Sequence, residues 1–387
     1  MVKLIKSTFL NEAETKKKLC DFIMRANVLS LDAECKKFEE RFAKKQGRAY
    51  AVFVNSGSSA NLLLIQALLN LGYLERGDRV GVSAITWSTN IMPLIQLGLI
   101  PVSIDGELDS LNISPRTLSE RIEGLRAVFL TNVLGFSDDI KAIAELCEEK
   151  GVTLLEDNCE SLGSRSGGKL LGNFGLASTF SFFCGHHIST VEGGMIATDD
   201  AELYHALLIA RAHGWDRNMP KAMQEEIRAR EDVDPFFALY TFYDLGFNVR
   251  PTEITGFIGN IQLDYWDDLV QKREANFNAF HELVLRNDEC IPLEVGHMDT
   301  VSNFAMPLLL KTKELFHKYK KRFEEAGVEI RPVIAGNVTK HPFYRKYGVV
   351  SASHPNADFI HENAFYFPNN PELTEEEVAL LRGLLVA

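Results

Sequence analysis

The chain has 387 residues, 46% hydrophobic and 24% charged, with a formal charge of -12. That composition excludes extended disorder, and the acidic balance argues against a nucleic-acid-coating surface while leaving room for a local basic pocket. The six cysteines (Cys20, Cys35, Cys147, Cys159, Cys184 and Cys290) form no CxxC pair or cluster of the kind that holds zinc or iron and sulfur, so reduced thiols and no metal are expected.

The opening MVKLIKSTFLNEAETKKK lacks the apolar run of a secretory signal, and no stretch offers about 18 uninterrupted apolar residues. A cytoplasmic protein without a membrane span is the expectation. The length exceeds one compact core, which predicts a large unit over residues 1–250 and a smaller α+β unit over 251–387.

Helices are predicted near residues 14–26 and 33–46. Short apolar runs then alternate with helix-length segments: AVFVN, RVGVS, PVSID, RAVFLTN and VTLLED read as buried strands. Between them, Ser58 to Leu71 repeats apolar residues at helical spacing, and Asp138 to Lys150 has the acidic start and basic end that suit a helix dipole. The alternation predicts an α/β fold with a mostly parallel sheet covered by helices. Two further strands, LASTFSFF and GMIAT, flank CGHHISTVEG, which is therefore a loop. Beyond Gly246 the pattern predicts a long helix from Ile261 to Leu285, a strand from Asn303 to Leu310, a helix after Thr312, a short strand VEIRP and a closing helix from Thr374.

Three segments carry chemistry. Asn55-Ser56-Gly57-Ser58-Ser59-Ala60-Asn61 lies between a strand and a helix, where small residues leave the first helical N–H groups open to a phosphate dianion. It equally describes a strand-to-helix turn with serine as N-cap. In Leu154-Leu155-Glu156-Asp157-Asn158-Cys159-Glu160 an acidic residue leaves the carboxyl end of an apolar strand, the edge at which α/β sheets bind ligands. Asp157 there can hold a pyridinium nitrogen protonated, or it can cap the next helix. The third segment runs from Ser181 to Gly194, SFFCGHHISTVEGG.

The spacing in that third segment, with LLEDNCES, RAHGWDRN, GFNVRPTE and RPVIAGN, resembles the DegT/DnrJ/EryC1/StrS sugar aminotransferase family nearly end to end. The resemblance implies a fold-type I, aspartate aminotransferase-like architecture, pyridoxal 5'-phosphate or pyridoxamine 5'-phosphate as cofactor, and a homodimer with a shared active site. It also implies roles. Trp87 would stack on the cofactor ring, Asp157 would meet its nitrogen, and Glu160 would lie near its hydroxyl side. Gly57, Ser58 and Ser181 would hold its phosphate, with Asn248 reaching the phosphate of the neighbouring subunit. His213 and Arg331 are substrate candidates, each with a structural alternative, and His187 reads as structural.

Most of the family keeps a cofactor-bound lysine where this chain has His186, and histidine there is similar to the family's 3-dehydratase branch. Imidazole cannot form a stable Schiff base, so the cofactor would be held without a covalent tether while neutral His186 serves as base. The implied substrate is a nucleotide-linked 4-keto-6-deoxy sugar, with GDP-4-keto-6-deoxymannose the nearest resemblance, and glutamate would supply the amine and leave as 2-oxoglutarate. The competing readings are a nucleotide-sugar aminotransferase using a lysine such as Lys169, and a catalytically silent cofactor-binding protein.

Overall fold

The structure is a computed structural model that describes residues 1–347 and 352–387. Of the segment 336–350, where the motif match is least specific, residues 348–350 lie outside the described residues. The chain opens with helices α1 (Glu12–Arg25) and α2 (Ala33–Gln46), then strand β1 (Tyr50–Val54) and helix α3 (Gly57–Asn70). Strands β2 (Arg79–Ser83), β3 (Ile100–Ile104), β4 (Ala127–Thr131), β5 (Thr153–Asp157), β6 (Ala177–Ser181) and β7 (Gly194–Thr198) complete a seven-stranded sheet with β1.

Its order is β1-β7-β6-β5-β4-β2-β3, and β7 alone runs against the other strands. The sheet is buried on both faces, which is why its strands read as near-continuous apolar runs. Register brings Thr131 beside Asp157, Asp157 beside Thr179 and Ser181 beside Gly194, so the carboxyl ends of β4, β5 and β6 open on one edge with the start of α3. Two glycines allow that edge to close up. A Cβ on Gly57 would stand 2.6 Å from Ser181 Cβ, and one on Gly194 would stand 2.3 Å from the Ser56 carbonyl oxygen.

The long helix expected over 261–285 is two helices, α4 (Glu253–Gln262) and α5 (Trp266–Arg286), joined by a 3₁₀ turn at Leu263–Tyr265. A capping box of Thr252 and Thr255 starts α4 earlier than apolar periodicity suggested. Helix α4 lies on α2, and the buried Glu253 carboxylate accepts the backbone N–H groups of Asp32, Glu34 and Cys35 at 2.8, 2.7 and 3.0 Å. That carboxylate caps α2, whose own N-cap residue Asp32 makes no side-chain capping bond. Helix α5 buries Trp266 and Leu269 in the core beneath β6 and β7, and Phe277, Phe280 and Val284 in the core of a second sheet.

That second sheet has the order β8 (Cys290–Ile291), β9 (Ala305–Leu310), β11 (Ala364–Pro368) and β10 (Arg331–Pro332), all antiparallel. The expected strand VEIRP is divided. Its first part bridges to Val2 at the N-terminus, and Arg331–Pro332 pairs with β11. The same core takes in Ala84, Ile85, Val133 and Phe136 from the large sheet's loops, so the second sheet sits against the edge where Asp157 emerges.

Candidate active site

Asp157, the last residue of β5, is held on both carboxylate oxygens. Oδ2 accepts the side-chain amides of Asn61 at 3.0 Å and Asn90 at 2.8 Å, and Oδ1 accepts the Cys159 N–H at 2.9 Å. The carboxylate therefore faces the adjoining cavity in one fixed orientation. Neighbouring Glu156 points the other way and is consumed structurally, accepting the backbone N–H groups of Gly172, Phe174 and Gly175.

A cavity of about 330 Å³ opens on Asp157. Gly57, Ser58, Trp87, Glu160, Ser181, His186 and Arg331 line it with Asp157, so eight of the ten sequence-derived residues meet in one place. At the head of α3, Ser56 occupies the Ser59 and Ala60 amides, while Gly57 and Ser58 line the cavity with the first N–H groups of the helix. Trp87 is 54% exposed, a broad indole left open over the space. An oriented carboxylate, an open helix start and a free aromatic face at one strand edge fit a phosphorylated pyridine ring.

His186 sits in the loop between β6 and β7, its N–H bonded to the Phe183 carbonyl in a turn. The ring meets Phe304 edge-on at 5.4 Å between centroids. Burial pushes its pKa down to about 4 against the pull of Asp157, which keeps the imidazole neutral at neutral pH. Burial has the opposite effect on Glu160, raised to about 8 with Asp157 adding to the shift, while its Oε2 accepts the Leu134 N–H. His187 turns away from the cavity and places Nε2 2.8 Å from the Ser302 carbonyl.

Two candidates stand outside the cavity. His213 is exposed, with a positive φ of 62° and its ring against Trp215. Asn248 is exposed and accepts from Arg250 Nε at 2.9 Å. Arg331 reaches the cavity while paired with Glu329 at 2.6 Å. Lys169 lies exposed over the Phe174 ring, and no lysine is among the described residues that line the cavity. Sequence reading assigned no role to Asn61, Asn90, Phe304 or Tyr366, which the fold brings to Asp157 or to the cavity wall.

The pattern of the DegT/DnrJ/EryC1/StrS aminotransferase family matches residues 11–382. The chain is 37% identical over 371 residues to a GDP-4-keto-6-deoxy-D-mannose 3-dehydratase of Yersinia pseudotuberculosis, covering 94% of this chain and 93% of that protein. Among solved structures it resembles a GDP-4-keto-6-deoxymannose-3-dehydratase, crystallised as a histidine-to-asparagine mutant with bound GDP-perosamine, at 33% identity, a TM-score of 0.92 and full coverage of both chains. A structure of a GDP-4-keto-6-deoxymannose-3-dehydratase with a trapped PLP-glutamate geminal diamine matches at 32% identity, a TM-score of 0.91 and full coverage of both chains.

Proposed function

Because the chain belongs to the DegT/DnrJ/EryC1/StrS aminotransferase family, we infer that it is a pyridoxal-phosphate-dependent lyase removing the 3-hydroxyl of GDP-4-keto-6-deoxy-D-mannose. Glutamate supplies the amine and leaves as 2-oxoglutarate, ammonia is released, and the sugar loses one oxygen to become a 4-keto-3,6-dideoxy product. The observation that carries this reading is the neutral imidazole of His186, in a cavity with no lysine among the described residues that line it, beside an aspartate fixed by three donors.

When bound, pyridoxamine 5'-phosphate supplies the amine that meets the sugar ketone and a ring that accepts electrons. Asp157 holds the ring nitrogen protonated, its carboxylate kept in place by Asn61 and Asn90. Trp87 covers a ring face. Gly57, Ser58 and Ser181 hold the phosphate through the open start of α3. Glu160 carries its proton at neutral pH and faces the ring hydroxyl side without adding a second negative charge next to Asp157. His186 takes a proton from the carbon bearing the cofactor amine and returns it to the departing 3-hydroxyl, so the base ends the cycle as it began.

The active enzyme is a homodimer in the cytoplasm. Among the described residues no helix is long and apolar enough to cross a membrane. Asn248 reaches the phosphate held by a second subunit. Its exposure outside its own cavity supports this, as does the neighbouring apolar surface of Phe236, Phe237, Tyr240, Phe242 and Leu245, 82%, 59%, 71%, 60% and 64% exposed. His213 borders the same surface and Arg331 the cavity, positions from which each can meet the nucleotide sugar.

Borohydride reduction of the cofactor-loaded protein, followed by peptide mapping, tests the reading. Reduced cofactor recovered free of peptide is the expected result. A lysine peptide carrying the cofactor would overturn it in favour of an aminotransferase.

A further inference from the structure

Phe304, whose ring packs against His186, is held from behind by a charge that the proposed chemistry leaves unused. Arg273, on α5, is 3% exposed, and no carboxylate among the described residues pairs with it. Burial pushes its pKa down to about 9, so the guanidinium stays charged at neutral pH. Its Nη1 donates to three main-chain carbonyls: Phe304 at 2.8 Å, Asn303 at 3.2 Å, and Asn369. In return the Asn369 side-chain amide donates to the Arg273 carbonyl at 3.0 Å, which ties α5 to the end of β11 in both directions. A charge buried without a counterion is unfavourable unless hydrogen bonds satisfy it, and here those bonds converge on the segment that walls the cavity.

From that segment the hydrogen bonds continue to the carboxyl group of Glu160. Phe304 N–H donates to the Leu134 carbonyl at 2.8 Å, and Leu134 N–H donates to Glu160 Oε2 at 2.9 Å. Leu134 has a φ of 52°, a left-handed backbone that a bulky residue keeps only where its surroundings enforce it. Beside it, a Cβ on Gly135 would stand 2.7 Å from Asn303 Cα, so the turn and the Asn303–Phe304 segment are pressed together. The Phe304 ring, carried by the same main chain, meets His186 edge-on at 5.4 Å and Tyr366 at 5.9 Å between centroids.

We propose that Arg273 is a positioning residue for both His186 and Glu160: through the Phe304 main chain it sets the ring against His186 and, through Leu134, places the N–H that holds Glu160. The proposal rests on the dehydratase reading only for the roles of those two groups. Besides burial, the Arg273 cation lowers the His186 pKa; against burial, which raises it, the Leu134 N–H lowers that of Glu160. The other groups facing His186 are Asp157 from β5 and His187 from its own loop. Those facing Glu160 are Asp157, Cys159 and, from β11, Tyr366 with Arg331 beside it.

Hydrogen–deuterium exchange on the cofactor-loaded protein, read by mass spectrometry in peptides spanning 133–135 and 303–305, tests the placement without turnover. Arg273→Met removes the charge and the donors. Amides in both segments are expected to exchange about tenfold faster while β2 and β3 exchange as in the native protein. Unchanged exchange in the two segments, or equal acceleration throughout the molecule, overturns the proposal.

Kinetics supply the second arm. In Arg273→Met, kcat is expected to fall about tenfold at unchanged KM, within the ~100-fold that a 1 Å misplacement can cost. Both limbs of the pH profile should move to higher pH, the lower because His186 loses a neighbouring cation and the upper because Glu160 loses its donor. Arg273→Lys keeps a charged nitrogen with several hydrogens to donate, so it should leave the lower limb in place and recover most of kcat. Native limbs and kcat in the methionine variant, or equal losses in both variants, would overturn the role. Should methionine unfold the chain, Phe304→Leu keeps every main-chain bond of the path and removes only the ring. A lowered kcat with the upper limb in place is expected there, and an undiminished kcat would refute the placement of His186 by Phe304. Failure of the wild type to deoxygenate the sugar would instead refute the dehydratase reading, and the exchange arm would still decide what Arg273 holds.

Discussion

Asp157→Asn keeps the shape of the side chain and changes only what its two terminal atoms can accept. In the native protein Oδ2 takes two amide hydrogens and Oδ1 takes the Cys159 N–H. An asparagine has one oxygen. Placed at the Oδ2 position it keeps the bonds from Asn61 and Asn90, but its NH₂ then faces the Cys159 N–H, donor against donor. The reverse flip sets the NH₂ against two amides and is worse. The better orientation thus loses one charge-assisted bond, about 2 kcal/mol of stability, and it removes the charge proposed to hold a ring nitrogen protonated. Loss of the proposed charge-assisted contact to that nitrogen, itself about 2 kcal/mol, is expected to lower pyridoxal phosphate affinity about thirtyfold, each tenfold corresponding to about 1.4 kcal/mol, with deoxygenation reduced further still. Titrating the cofactor against Trp87 fluorescence or ring absorbance measures the first effect, and the absorbance reports whether the ring nitrogen has lost its proton. Native affinity with a protonated ring in the variant would refute the assignment of Asp157.

Activity should depend on pH through two shifted groups. With neutral His186 as the proposed base and its pKa lowered to about 4, kcat/KM should hold as pH falls past the ordinary 6.5 and drop only near 4. Glu160 is protonated below about 8, so activity should fall as pH rises through that value, and Glu160→Gln should remove that upper limb; an unchanged upper limb in the variant would rule Glu160 out. Glu253→Ala strands three N–H groups at the start of α2 and should cost about 3 kcal/mol in urea unfolding; a cost below about 1 kcal/mol would mean water replaces the carboxylate. Gly57→Ala places a Cβ 2.6 Å from that of Ser181, pushing the start of α3 off β6, and should weaken phosphate anchorage with the fold intact; unaltered cofactor affinity would contradict the role given to that contact.

The parallel strands and the His186 loop were legible because each is written in one contiguous segment: an apolar run, a turn of small residues, a histidine at a family-specific spacing. The buttress of Asp157 was not, since Asn61 and Asn90 lie 96 and 67 residues before it, on α3 and on the 3₁₀ turn Ser88–Asn90, and meet it only through tertiary packing. The break between α4 and α5 was hidden because helical periodicity continues through it, while the cause lies in long-range contacts with α2 and the second sheet. The pairing of Arg331 with Glu329 could have been read from alternation, which puts residues two apart on one face of a strand. His213 sits in a motif segment beside the chemistry in sequence, yet its backbone bonds to Phe247 and turns the ring onto Trp215.

The most direct measurement supplies the protein with pyridoxal phosphate, glutamate and GDP-4-keto-6-deoxymannose and follows the nucleotide sugar by mass spectrometry alongside ammonia and 2-oxoglutarate. A product lighter by one oxygen atom, with ammonia and 2-oxoglutarate formed in equal amounts, and its disappearance in His186→Asn, is the expected result. Accumulation of a 4-amino sugar without free ammonia, or undiminished deoxygenation in His186→Asn, would contradict the account.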